Sequence, residues 1–166
     1  MRGQIWSLDA IASILIFVSA FLLLAFAWNN AQVQLMERQT QLHLESRVIG
    51  ISDSLLRTPG LPLDWNAGNV QSIGIIKEEN VINQTLLIRF LDLPETIAKA
   101  TFGISDAAYF FQLFDINGSI RYVNDQLAVS GTAPHQNATL IVPVVRFVLL
   151  DGDPVKLFLT LWVPRD

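Results

Sequence analysis

The side chains that could do chemistry are few: two histidines, fifteen carboxylates and no cysteine in 166 residues. His43 lies in QLHLE with Glu45 two positions on, and on a helix that spacing puts the two on different faces. His135 lies in TAPHQN, a loop composition in which a solvated imidazole is the simplest reading. DINGS sets Asp115 and Asn117 ahead of Gly118, like a fragment of a calcium loop. The earlier and later oxygen ligands of such a loop are missing, so the stretch reads as a turn. DGDP puts Asp151 and Asp153 on one turn, which suits a weakly bound cation or, more simply, a solvated tip. Metal-ligand spacing, a nucleophile elbow and a phosphate loop are all absent from the sequence. A net charge of −4 without a concentrated basic face argues against a phosphate backbone as partner. The expectation is a protein that is not an enzyme, with no catalytic, cofactor or metal site and no nucleic-acid partner.

Three sequons offer modification chemistry: Asn83-Gln84-Thr85, Asn117-Gly118-Ser119 and Asn137-Ala138-Thr139. Each is an acceptor for N-glycosylation if it lies outside the cell. Asn117 at a hairpin tip and Asn137 in a polar loop are the better candidates, because Asn83 falls in a helical stretch.

The element that must position everything else stands at the start. Residues 10–28, AIASILIFVSAFLLLAFAW, hold no charge, glycine or proline. At 1.5 Å per residue they span about 28 Å, close to a hydrocarbon core of about 30 Å. A cleavable secretory signal has a shorter apolar region, although Ala25-Phe26-Ala27 could serve as a cleavage site for one. Trp6 and Trp28 bracket the run, about 33 Å apart along a helix, where amphipathic rings favour the two interfaces. The expectation is a retained single-pass membrane helix. Arg2 puts the N-terminus in the cytoplasm and everything after Asn29 outside.

Helical periodicity continues past the membrane. Leu35, Leu42, Ile49 and Leu56 recur every seven residues, and Leu44, Val48, Ile51 and Leu55 form a neighbouring stripe. Such an apolar side packs on the protein's own domain or on a partner helix. Gly50 is a flex point at most, and Thr58-Pro59-Gly60 ends the helix. The rest of the chain is large enough for one core.

That remainder predicts an α+β domain. Residues 70–76 read as a short strand; Asn80 reads as the cap of a helix through Phe90; Pro94 opens ETIAKATF, closed by Gly103. AAYFFQLFDINGSIRYV predicts a tight two-residue hairpin at Asn117-Gly118. ATLIVPVVRFVLLDGDPVKLFLTLWV predicts a longer hairpin, with Leu157, Leu159, Leu161 and Val163 turned toward the helix. Pro143 lacks an amide donor, which places it at an edge or bulge. The expected architecture is an antiparallel sheet, with one or two short helices, laid on the outer half of the long N-terminal helix.

The opening residues resemble the prepilin signal of archaeal type IV pilins and pilin-like proteins. Arg2, Gly3, Gln4, Ser7 and Asp9 stand where that family has a basic leader, Gly, Gln, a Ser and an acid before the apolar helix. A second passage, LLRTPGLPLDWNAGNVQSIGI, is similar to the Gly-x-Pro-x-x-Trp then Gly-aliphatic stretch that comes after the stalk in many such proteins, here Gly60, Pro62, Trp65 and Gly74. The resemblance implies cleavage between Gly3 and Gln4 by a prepilin peptidase. It also implies assembly, through the retained helix, with other copies or other pilin-like subunits in a surface filament. Asp9 would then be the acid that meets a neighbour's terminal amine. Here it is sixth after the cleavage point where the family places a glutamate fifth, because Trp6 is inserted; the shift turns it about 100° around the helix. The implied organisation is a leader over 1–3, a membrane and stalk helix over 4–57, and an extracellular domain over 58–166. The alternative is an uncleaved anchor carrying a binding or adhesion domain as a single copy.

Overall fold

Leu, Ile, Phe, Val and Ala succeed one another without a breaker through the N-terminal third, and the chain there is a single helix, α1 (Gly3–Arg57). The computed structural model describes residues 3–165, the side chains of 3–8 and 37 excepted; Met1 and Arg2 of the expected leader lie outside the described residues. The chain divides into two units, Met1–Leu42 and His43–Asp166, and α1 runs through both. In the first unit every described side chain from Asp9 on is exposed. The helix is long and apolar enough to cross a membrane.

In the second unit, α1 contributes Leu44, Val48, Ile51 and Leu55 to the core, an i, i+4, i+7, i+11 stripe that keeps the true helical period. The seven-residue repeat does not bury as a set: Leu56 is buried, but Leu35, Leu42 and Ile49 are exposed. Leu35 and Leu42 lie in the first unit, where every described side chain is exposed, and Ile49 lies off the buried stripe of the second.

After α1 come β1 (Gly60–Leu61), β2 (Ser72–Ile73), β3 (Ile76–Glu78) and β4 (Val81–Ile82). Two helices come next, α2 (Gln84–Leu91) and α3 (Glu95–Phe102). The chain then forms β5 (Ala108–Asp115), β6 (Tyr122–Val123), β7 (Gln126–Leu127), β8 (Val129–Gly131), β9 (Leu140–Leu150) and β10 (Asp153–Val163). The fold is α+β. Six strands form the main sheet in the order β3-β4-β9-β10-β5-β8. It is mixed rather than antiparallel, because β4 runs parallel to β9. Val155, Leu157, Leu159 and Leu161 of β10 are buried against the same core as α1, while Val163 is partly buried at its margin. Around them pack Tyr109, Phe111 and Leu113 of β5, Val142, Val148 and Leu150 of β9, and Leu86, Leu87 and Phe90 of α2.

Local differences from the expected elements have local causes. Residues 70–76 do not form one strand: β2 and β3 are separated at Gly74. Asn80 is not a helix cap but a left-handed turn residue, φ 60°, between β3 and β4. The cap is Asn83, whose Oδ1 accepts from the amides of Thr85 at 2.9 Å and Leu86 at 3.3 Å. Pro94 stands one place before α3, and Gly103 closes it in the left-handed region. The turn after β5 is wider than two residues: the Asp115 amide donates to Ser119 at 2.8 Å, and Gly118 takes φ 89° as a bulge. The returning chain makes one bridge to β5 and then forms its own small hairpin, β6–β7. Asp151-Gly152 does make the tight turn between β9 and β10, both at positive φ. Pro143 lies where β9 has only β10 beside it, since β4 pairs with β9 at Leu149 and Leu150 alone.

Candidate functional site

Sequence spacing at 60–74 builds a compact junction at the end of α1. Trp65 is 0 % exposed, and its Nε1 donates to the Pro59 carbonyl at 3.0 Å. The indole lies so close to Gly60 that a Cβ there would stand 2.5 Å from Nε1. Gly60 pairs with Ile73 across β1–β2, and the Leu61-Pro62 bond is cis. A Cβ on Gly74 would overlap the Thr58 carbonyl, so that backbone approach tolerates only glycine. Gly60, Pro62, Trp65 and Gly74 are thus brought together as one structural lock.

Two further ties hold α1 in the second unit. Arg47 donates through both Nη atoms to Asp106, at 2.8 and 2.9 Å, and Nη2 also reaches the Gly103 carbonyl at α3's end. These bonds hold the Asp106 carboxyl below, and the Arg47 guanidinium above, their ordinary pKa. Arg146, on the inner side of β9, donates to Ser52 at 3.0 Å and to Asp53 at 3.1 Å. Neither pairing was legible from spacing, because the partners are far apart in sequence.

The acidic turns come together around a cation. Arg121 donates to Asp115 at 3.0 Å and to Asp153 at 2.9 Å, which raises the guanidinium pKa. DINGS and DGDP are therefore joined, with Asp115 and Asp153 sharing the one charge of Arg121; Asp151 is exposed on its turn. Among the described residues no three His, Cys, Asp or Glu gather in a group that could hold a metal. His43 is exposed on α1, while His135 stands edge-on to Trp162 with ring centres 5.6 Å apart.

Gly3 and Gln4 lie in the first turn of α1, and Asp9 is exposed further along it. Asn117 is exposed, with Oδ1 accepting from Ser119 Oγ at 2.7 Å. Asn137 is exposed in the loop before β9. Asn83 is half-buried and its Oδ1 is occupied by two amides.

A surface that periodicity alone did not reveal lies on the outer side of the sheet. The register aligns Ile141, Pro143, Val145, Phe147 and Leu149 of β9 with Trp162, Thr160, Phe158, Lys156 and Pro154 of β10. Ala108, Phe110, Gln112 and Phe114 of β5 extend the same face. Phe147 is 69 % exposed, Ile141 46 %, Val145 42 % and Leu149 40 %. Trp162 departs from this pattern: it is buried, and its Nε1 donates to the Thr132 carbonyl at 2.9 Å. The signal was available in LIVPVVRFVLL, where Arg146 alone interrupts an apolar run, because such a run marks a strand apolar on both faces. Compared with family models, curated proteins and solved structures, the chain matches none.

Proposed function

We propose that the protein is a structural or accessory subunit of an archaeal type IV pilus-like surface filament, anchored and assembled through its N-terminal helix. The observation that carries this reading is α1 itself: an uncharged apolar stretch over 10–28, fully exposed, led by Gly3-Gln4 and Asp9. In lipid, one apolar helix gains little from another beyond packing and a few polar contacts. Once drawn out of lipid, the same surface is stabilised by burial among neighbours at about 25 cal/mol per Å². A bundle of such helices satisfies it. Asp9 in that bundle would answer a neighbour's amine, released when the prepilin peptidase cuts between Gly3 and Gln4. The resemblance of the Gly60, Pro62, Trp65 and Gly74 passage supports the reading further, since the four residues act together as a lock at the end of the helix.

A second reading is an uncleaved anchor that carries a surface binding domain in single copy. The position of Asp9 favours it, one place later than the family's glutamate. Asp9→Ala separates the two. In a filament it leaves membrane levels intact and strips the protein from sheared extracellular material, because a buried amine has lost its partner. Asp9→Glu, which can still reach, retains assembly in part. In a lone anchor neither the wild type nor Asp9→Ala reaches the sheared material, and that result would overturn the filament reading; shearing of Asp9→Ala equal to that of the wild type would show that the acid has no pairing role here.

A further inference from the structure

The loop after β8 and the end of β10 border a cleft of about 560 Å³, within the range of about 300–1,000 Å³ that small-molecule sites occupy. Its walls include His135, Gln136, Asn137, Trp162, Pro164 and Arg165. Asn137 is thus both a wall of the cleft and the acceptor of a sequon, Asn137-Ala138-Thr139. We infer that the cleft seats the first sugar of a glycan carried by Asn137, with the ring of His135 as its platform. The inference rests on the reading that sets this domain outside the cell, which the filament and the lone anchor share.

The backbone sets the parts side by side. The Ala138 amide donates to the His135 carbonyl at 3.0 Å, closing a turn with Asn137 at its third position. The Thr139 amide donates to the Val163 carbonyl at 2.9 Å and pins the turn to the end of β10. The His135 ring is braced as well: it stands edge-on to Trp162, with ring centres 5.6 Å apart. Trp162 in turn is buried, its Nε1 donating to the Thr132 carbonyl at 2.9 Å. A braced side chain loses little further freedom when a ligand settles on it. The other two sequons lack this frame. Two places before Asn83 stands Val81, and two before Asn117 stands Asp115, so neither acceptor has a ring in that position. The Oδ1 atoms of both are also taken, Asn83 by two amides and Asn117 by the amide and hydroxyl of Ser119.

The chemistry of the walls suits a saccharide. A pyranose turns C–H groups of slight positive charge outward from one face, and the face of an aromatic ring is negative. Its hydroxyls need donors and acceptors at the rim; Gln136 supplies both and Arg165 supplies donors. Attachment takes a saccharide linked to a lipid phosphate as co-reactant. Asn137 Nδ2 forms a bond to the anomeric carbon, and the bond from that carbon to the phosphate oxygen breaks. The lipid phosphate leaves with the electron pair, and the carboxamide gives up one proton. The covalent tether then holds the sugar at the cleft, so a weak contact is enough to seat it.

The test uses the full chain purified in detergent from its native cells. Trypsin releases residues 122–146 as one peptide with Asn137 as its single sequon, and mass spectrometry is expected to find sugar on that asparagine. Urea unfolding followed by circular dichroism then reads the seat. Asn137→Gln, which accepts no glycan, is expected to lower the urea midpoint. The same change is expected to leave the midpoint unmoved in a His135→Ala background and to lower it again in His135→Phe, a cycle that isolates the contact between ring and sugar. The peptide from His135→Ala is expected to carry the same sugar; its loss there would overturn the ring's role as a seat. A bare Asn137, no drop with Asn137→Gln, or an equal drop with and without the ring would overturn the inference. A chain that begins at Gln4 with Asn137 bare would do so and keep the filament reading. Sugar on Asn137 of a chain that begins at Met1 in every molecule would overturn the filament reading instead.

Discussion

Trp65 gives the sharpest test of how the chain leaves its helix and enters the sheet domain. The indole is fully buried, donates to the Pro59 carbonyl at 3.0 Å, and lies against Gly60. Its own carbonyl accepts from Arg89 at 3.4 Å, so the junction is also tied to α2. Truncation to Ala removes a large buried aromatic and should cost about 3–5 kcal/mol. A domain of this size is stable by about 5–15 kcal/mol, so that one change removes about a fifth or more of the total. Trp65→Phe keeps most of the ring but leaves the carbonyl without its donor, for about 1–2 kcal/mol. Gly74→Ala forces a Cβ into the Thr58 carbonyl and should cost about 1–3 kcal/mol by overpacking. Urea unfolding of the full chain in detergent, monitored by circular dichroism, measures all three. Leu63→Ala, at an exposed neighbour, is the control and should stay within about 0.5 kcal/mol of wild type. If Trp65→Ala behaved like Leu63→Ala, the lock would not exist as described.

The two faces of β10 predict opposite tolerances. Leu159→Asp should unfold the domain, losing about 1.5–3 kcal/mol of burial and adding an unpaired buried charge, while Thr160→Asp on the other face should be mild; circular dichroism in detergent separates them. Asn83→Ala should cost about 1 kcal/mol in urea unfolding as a lost helix cap. Mass spectrometry of peptides from native material should find glycan at Asn137 or Asn117 and none at Asn83. Asp106, held below its ordinary pKa by Arg47, stabilises the fold above the unfolded carboxylate value of about 3.9. That contribution is lost as pH falls through the lower folded value. Both side chains touch solvent, so the loss is under about 1 kcal/mol. Asp106→Asn should flatten the acid limb of a stability-versus-pH curve by that amount.

Sequence alone was informative where one residue type has one physical use. The apolar run over 10–28, the helix stop at Thr58-Pro59-Gly60, Gly103 as a helix end and the buried side of β10 were all legible from composition and period. The seven-residue repeat misled, because Leu35 and Leu42 look like part of a core seam but lie in the exposed first unit, and Ile49 falls off the buried stripe. Asn80 and Asn83 are both fit to cap a helix, and only the short strand β4 between them, paired back to β3, decides for Asn83. The parallel pairing of β4 with β9 was out of reach, since it joins residues near 82 to residues near 150. The ion pairs of Arg47, Arg121 and Arg146 are of the same kind. The outer face was readable in principle from the apolar run of β9, which Arg146 alone interrupts. The clean alternation of its partner strand, β10, hid it.

The proposed filament assembly calls for a helix that is cut at its start and kept. The most direct measurement is intact and peptide mass spectrometry of the protein sheared from the surface of its native cells. A filament subunit is expected there as a mature chain beginning at Gln4, with the whole apolar stretch of α1 retained. A chain that begins at Met1 in every molecule, or one that has lost residues 10–28 by cleavage after Ala27, would contradict it.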